Sequence, residues 1–294
     1  MAYIIEVLKS ILYGIVEGIT EWLPVSSTGH LILIEDLLPF RFSEDATLLA
    51  EFGEMFQVVI QLGAILAVIV LFWSRLWPFG KSKAPARRRA TWVLWGKVLI
   101  ASLPAAFAGI VLDELLEMKT GRDIDGWLYN SLVVAIALIV YGIAFLIVEK
   151  RKNANRPRVE RVEDITCLTA LGIGAFQVLS LVPGTSRSGS TILGSMLLGL
   201  SRTAGAEFSF FMAIPVMVGA SGIKVLGFLK YVLESTVTVP AMAWLVLAVG
   251  CLVSFVVSLV AIRFLMDFVK RHSFAPFGVY RILLGALVLI LWLV

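Results

Sequence analysis

The stretch Glu17-Gly-Ile-Thr-Glu21-Trp-Leu-Pro24-Val-Ser26-Ser27-Thr28-Gly29-His30 decides how this chain is read. It lies between apolar runs, where charged and polar side chains are costly and mark a function. Glu17 and Glu21 are four apart, so a helix places both carboxylates on one face. Like charges at that spacing repel unless a cation or a proton lies between them. Pro24 ends such a helix, because it has no N–H and its ring clashes with the preceding turn. Ser26, Ser27 and Thr28 then offer N-caps for a second helix beginning near His30. A soluble-type turn with two solvated acids fits these apolar flanks poorly. The reading adopted is a broken intramembrane helix whose bend gathers two carboxylates, three hydroxyls and an imidazole.

Composition supports that setting. Of 294 residues, 59% are hydrophobic and 16% charged, against about a quarter charged in soluble domains. The fold class is therefore an all-α integral membrane protein. No cleavable leader is evident, since residues 1–16 carry Glu6 and Lys9 and lack a basic start with a small-residue cleavage site. Cys167 and Cys251 stand alone in apolar segments, with neither metal-ligand nor disulfide spacing. The net charge of +4 comes largely from two loops, a topology signal that gives no case for nucleic acid.

Six runs are long enough to span a bilayer: 55–73, 97–112, 128–148, 207–229, 241–262 and 277–294. Two further apolar regions, 1–38 and 166–200, are interrupted by polar, Gly and Pro residues. Loop 74–97 holds Arg75, Lys81, Lys83, Arg87, Arg88, Arg89 and Lys97, and loop 149–164 is also basic, with Lys150, Arg151, Lys152, Arg156, Arg158 and Arg161. Both are expected in the cytoplasm, as is 263–276 with Arg263, Lys270 and Arg271. Loop 113–127 carries Asp113, Glu114, Glu117, Asp123 and Asp125 and is expected outside. For the spans to alternate, region 166–200 must enter and leave on the cytoplasmic side, and region 1–38 on the outer side. The expected architecture is six transmembrane helices plus two re-entrant helical hairpins in an inverted-topology repeat. Its halves are 1–148 and 165–294, joined by linker 149–164.

The second interrupted region supplies a counterpart to the first, with Pro24-Val-Ser-Ser-Thr-Gly29 facing Pro183-Gly184-Thr185-Ser186-Arg187-Ser188-Gly189. Inverted repeats with broken helices place their site near the midplane. Each tip is a helix N-terminus with unpaired N–H groups, which suits an anion. The second tip adds five hydroxyls, from Thr185, Ser186, Ser188, Ser190 and Thr191, and one guanidinium. Arg187 matches phosphate oxygens bidentately. A polar helix-packing joint accounts for the small residues but does not require an arginine. Glu17 and Glu21 beside a phosphate call for a divalent cation, Mg or Ca. Acids, arginine, hydroxyls and histidine together form a set suited to phosphoryl transfer from a metal-bound diphosphate.

The paired motifs, together with Phe56-Gln-Val-Val-Ile-Gln61-Leu-Gly63 and Glu207-Phe-Ser-Phe, resemble the undecaprenyl-diphosphate phosphatase family, the bacitracin-resistance type of bacterial inner membranes. That resemblance covers essentially the whole chain. It implies a membrane-bound lipid phosphatase that hydrolyses undecaprenyl diphosphate to the monophosphate and regenerates the carrier for cell-wall synthesis. It also implies a divalent cation and a site reached from the periplasm. Polyprenyl diphosphate and membrane lipids are the expected partners, and a homodimer is left open.

The expected roles follow. Glu17 and Glu21 hold the metal or position water, and Glu21 also serves the chemistry. Arg187 clamps the phosphates, helped by Ser26, Thr28, Gly29, Ser186, Ser188, Gly189 and Thr191. Ser27 is favoured as nucleophile, with His30 as its base, as acid for the leaving lipid phosphate, or itself as the phosphorylated group. The competing class is a polyprenyl-phosphate flippase or anion transporter, which would not need the acid pair, the serine and the histidine. Gln57 and Gln61 either line the site or join helices. Glu54 reads as a dipole-favourable acid at a helix start, Arg202 and Glu207 as structural, and Arg281 as snorkelling or pairing with a carbonyl.

Overall fold

The computed structural model describes residues 2–80, 83–121, 124–128, 130–152, 157–235 and 237–293. The readings that involve Lys81, Asp123 and Arg156 lie outside them. Among the described residues twelve α-helices occur in the order α1 Ala2–Thr20, α2 Ser27–Leu37, α3 Ala46–Leu71, α4 Trp73–Leu76, α5 Pro85–Thr120, α6 Ile124–Leu128, α7 Ser131–Lys152, α8 Cys167–Val178, α9 Arg187–Leu197, α10 Arg202–Ser235, α11 Ala241–Arg271 and α12 Ala275–Leu293. The only β feature among them is an isolated bridge between Val159 and Leu200.

Six of these helices, α3, α5, α7, α10, α11 and α12, are long and apolar enough to cross a membrane. They are the six expected runs, but several extend further. α5 is 36 residues long, roughly 54 Å at 1.5 Å per residue, well beyond a hydrocarbon core of about 30 Å. Its ends carry Arg87, Arg88 and Arg89 on one side and Asp113, Glu114 and Glu117 on the other. Hydropathy trims those turns away, although their backbone is helical. Much of the stretch 74–97 is therefore helix rather than loop. For the same reason α11 runs on to Arg271.

Where helices meet most closely, glycine removes the side chain from the contact. A Cβ added to Gly63 of α3 would lie 2.1 Å from the carbonyl oxygen of Cys251 on α11, and one on Gly174 of α8 equally close to that of Ala101 on α5. Such backbone-to-backbone approach is how helices pack where lipid removes the hydrophobic drive for association. α1 lies along α11 and α8 along α5, while α3 meets α10 and α7 meets α12. Many large apolar side chains, Phe107 and Leu168 among them, point outwards, as a lipid-facing surface requires.

Ion pairs gather at one end of the bundle. Arg75 pairs with both Glu207 and Glu163. Glu149, at the end of α7, receives Arg202 Nε at 2.9 Å and the Phe274 amide at 2.7 Å. Arg202 and Glu207 are thus each engaged in an ion pair. Glu54 differs from its reading: α3 starts at Ala46, so Glu54 sits beyond the first turn and pairs with Lys224 at 2.9 Å.

Candidate active site

The first broken segment folds as its residues dictate. The helical bonding of α1 continues to the Glu21 amide, which donates to the Glu17 carbonyl at 3.0 Å, so both carboxylates share one face. The turn through Pro24 follows, and α2 begins at Ser27, a turn before His30. Ser26 caps it, its Oγ accepting from Gly29 N at 3.3 Å. The second segment repeats the device: Ser186 caps α9, its Oγ accepting from Gly189 N at 3.2 Å. Ser26 has φ 76° and Ser186 φ 69°, and among the described residues no other non-glycine has positive φ. Each such conformation costs about 1–3 kcal/mol and persists only where its surroundings enforce it.

Arg281 of α12 joins the two loops beside these serines. Its Nη1 donates to the Pro24 carbonyl at 3.1 Å, and its Nη2 to the carbonyls of Gly184 and Thr185 at 2.7 and 2.9 Å. One guanidinium, wholly buried, therefore holds both loops. Its face covers the Tyr141 ring, 5.4 Å from the centroid. The sequence reading allowed a carbonyl partner for Arg281 but not this place in the site.

Between the loops the acids meet the arginine. Glu21 Oε1 accepts from Arg187 Nη2 at 2.8 Å, and its Oε2 accepts from Ser27 Oγ at 2.8 Å. Arg187 Nη1 donates to the Ser209 carbonyl at 2.7 Å, and its guanidinium covers Trp22, 5.9 Å from the centroid. Ser188 Oγ donates to the Glu21 carbonyl at 3.0 Å, and Thr191 Oγ1 shares a 2.6 Å hydrogen bond with Ser209 Oγ. Glu17 is fully buried, and neither of its carboxylate oxygens has a hydrogen-bond partner among the described residues.

Not every expected partnership forms. His30 Nδ1 lies 2.7 Å from the Ser26 carbonyl and Nε2 2.6 Å from the Tyr280 hydroxyl, the two rings stacking at 5.7 Å. A carbonyl only accepts, so Nδ1 carries the proton and, in the neutral ring, Nε2 takes the Tyr280 hydrogen. Both nitrogens are therefore engaged away from Ser27, and the group beside the Ser27 hydroxyl is Glu21. Ser188 and Thr191 bond the loops to their neighbours, whereas Ser27, Glu21 and Arg187 are linked to one another by hydrogen bonds. Thr28 is half-buried in the first turn of α2 beside the buried Gly29. Gln57 lies elsewhere, donating to Glu35 at 2.6 Å.

A family model described as bacitracin resistance protein BacA matches residues 10–287. The chain belongs to the BacA family. It is 49% identical to an undecaprenyl-diphosphatase of Enterococcus faecalis, over 97% of each chain. It is 50% identical to one of Streptococcus gordonii, over 99% of this chain and 97% of the relative. With one of Acetivibrio thermocellus it shares 47% identity over 98% of both. In this BacA-family chain, sequence reasoning missed Ser209, Tyr280 and the loop-binding role of Arg281. Ser209 falls in the quoted stretch Glu207-Phe-Ser-Phe, but nothing in one sequence indicates that it faces Arg187.

Proposed function

We propose that the protein hydrolyses undecaprenyl diphosphate to undecaprenyl phosphate and inorganic phosphate, recycling the carrier lipid for cell-wall synthesis and conferring resistance to bacitracin. The observation that carries this reading is Glu21 held between Ser27 and Arg187 where two helix N-termini meet. Acid, hydroxyl and guanidinium are the groups that phosphoryl transfer needs.

Ser27 Oγ is the nucleophile, and Glu21 Oε2 takes its proton as Oγ bonds to the terminal phosphorus. The bond from that phosphorus to the bridging oxygen breaks, and the lipid monophosphate leaves. Water then hydrolyses the phosphoserine, releasing inorganic phosphate and restoring the hydroxyl. Arg187 and the amides at the starts of α2 and α9 stabilise charge on the transferred group. His30, its Nδ1–H held by the Ser26 carbonyl and its Nε2 by the Tyr280 hydroxyl, stands apart from the attacking oxygen and takes no proton in this step.

A divalent cation, when bound, neutralises phosphate charge. The partnerless oxygens of Glu17 beside Glu21 fit that role, because Arg187 is engaged by Glu21 and leaves the buried Glu17 carboxylate without a bonded cation. Among the described residues no three acids, histidines or cysteines cluster as metal ligands. Glu17 and Glu21 would therefore hold Mg or Ca with phosphate oxygens and water completing the shell, the usual arrangement for Mg.

The positive-inside rule favours a cytoplasmic position for α4 and the linker 149–164 in a bacterial inner membrane. The α1–α2 and α8–α9 pairs then re-enter from opposite faces as parts of an inverted repeat, and the site opens to the periplasm. The cross-packing of α1 on α11 and α8 on α5 supports this arrangement. The test is phosphate release from undecaprenyl diphosphate by purified protein with Mg²⁺, lost on chelation and restored by added metal. Absence of release under those conditions refutes the reading.

A further inference from the structure

Ser209 of α10 lies against the start of α9, and its side chain is wholly buried. Thr191 Oγ1 lies 2.9 Å from the Arg187 carbonyl and 2.6 Å from Ser209 Oγ. Arg187 Nη1 lies 2.7 Å from the Ser209 carbonyl and 3.4 Å from Ser209 Oγ. A carbonyl only accepts and a guanidinium only donates. The Thr191 proton therefore goes to the Arg187 carbonyl, the Ser209 proton goes to Thr191 Oγ1, and the lone pairs of Ser209 Oγ face Arg187 Nη1. That assignment gives each hydroxyl proton an acceptor. It also closes a ring that runs from the Arg187 backbone, through Thr191 and Ser209, to the guanidinium of the same arginine. The ring fixes one edge of the fork while Glu21 takes Nη2 at 2.8 Å. Nε, buried and without a partner among the described residues, remains as a donor.

We propose that Ser209 is a positioning residue for the reaction: its hydroxyl, together with Thr191, holds the Arg187 guanidinium in the orientation that meets charge on the transferred phosphoryl group. The inference rests on the diphosphatase reading. Orienting a long arginine side chain during the reaction costs free energy that a preformed donor does not. Trp22 beneath the guanidinium, 5.9 Å from it, limits tilting of its plane. Direction within that plane is set by the hydrogen bonds to Ser209 and Glu21. Close packing of α9 on α10 alone would be served as well by alanine at 209. The ring requires a hydroxyl.

Threonine and valine have the same shape, so Ser209→Thr and Ser209→Val disturb packing alike and differ in the hydroxyl. With purified proteins and undecaprenyl diphosphate, kcat of the valine variant should lie about tenfold below that of the threonine variant, with KM unchanged. Ser209→Ala adds no bulk and should show the same tenfold fall relative to wild type. In an Arg187→Lys background Ser209→Ala should cost less than about twofold, because the group that Ser209 orients is gone. Orthovanadate adopts the five-coordinate geometry of a phosphoryl group in transfer. By calorimetry it should bind the valine variant about tenfold more weakly than the threonine variant, whether or not lipid is hydrolysed. If no lipid diphosphate is turned over and vanadate still separates the two variants, the reaction reading fails and the positioning role stands. Equal kcat and equal vanadate affinity in the two variants overturn the proposal. So does an undiminished tenfold loss in the Arg187→Lys background, which would make Ser209 act independently of the arginine.

Discussion

Arg187 reaches across from the second loop to Glu21 on the first, its Nη2 lying 2.8 Å from Oε1. The pair is the one charge contact joining the two broken segments among the described residues. Lysine at 187 keeps the charge but cannot bridge Glu21 and the Ser209 carbonyl together. Arg187→Lys is therefore expected to lower kcat and kcat/KM together by about 10²-fold, as loss of transition-state stabilisation does. Arg88→Ala, which removes a guanidinium bonded to the Gly80 carbonyl, should match wild type. Equal, small effects in parallel phosphate-release assays would refute an anion role for Arg187.

Glu21 accepts a hydrogen bond from the Ser27 hydroxyl and is the partner of Arg187. Glu21→Gln keeps its size and removes its charge, and turnover should drop by about 10²-fold or more. Folding should survive, because glutamine still bonds Ser27. Retained activity with an ordinary Mg²⁺ titration would make Glu21 structural.

Ser27 and His30 separate cleanly. Ser27→Ala should abolish turnover to within about 10³-fold of the uncatalysed level of the assay. Tyr280→Phe, which frees His30 Nε2, should cost less than about tenfold and leave phosphoserine formation intact. Trapping labelled phosphate on His30 instead of Ser27 by acid quench and peptide mapping would reverse the assignment.

Arg281→Lys tests the link between the loops. One ammonium cannot reach the Pro24, Gly184 and Thr185 carbonyls as the fork does, and each carbonyl left alone costs about 1–3 kcal/mol. A marked fall in Tm is expected, with activity lost in parallel because Ser26 and Ser186 lose their support. A Tm equal to that of wild type would show that the strained serines are held by other contacts.

The six spans, the broken helices and the residues at their tips were legible in the sequence because each leaves a local mark. Charge next to apolar runs, proline at a helix end, and serine three residues before a glycine amide are all short-range signals. The extra turns of α5 were not legible, since charged helix ends look like loop to hydropathy. The pairing of His30 with Tyr280 was equally hidden, because it depends on how α2 and α12 lie in space. Serine and histidine three apart on one helix suggest a dyad. Yet the ring turns to Tyr280, and the acid across the turn takes the place beside Ser27. Arg281 is the clearest case, an arginine in an apolar helix whose partners are backbone carbonyls that no sequence pattern displays.

The position of Arg281 along the polypeptide has a consequence for biogenesis. Ribosomes deliver both loops long before α12, so a nascent chain holds every chemical group of the centre while lacking the cation that brings them into register. Catalytic competence should therefore appear only once the final helix has been inserted. A partly made chain in the membrane would be inert towards the scarce carrier lipid around it.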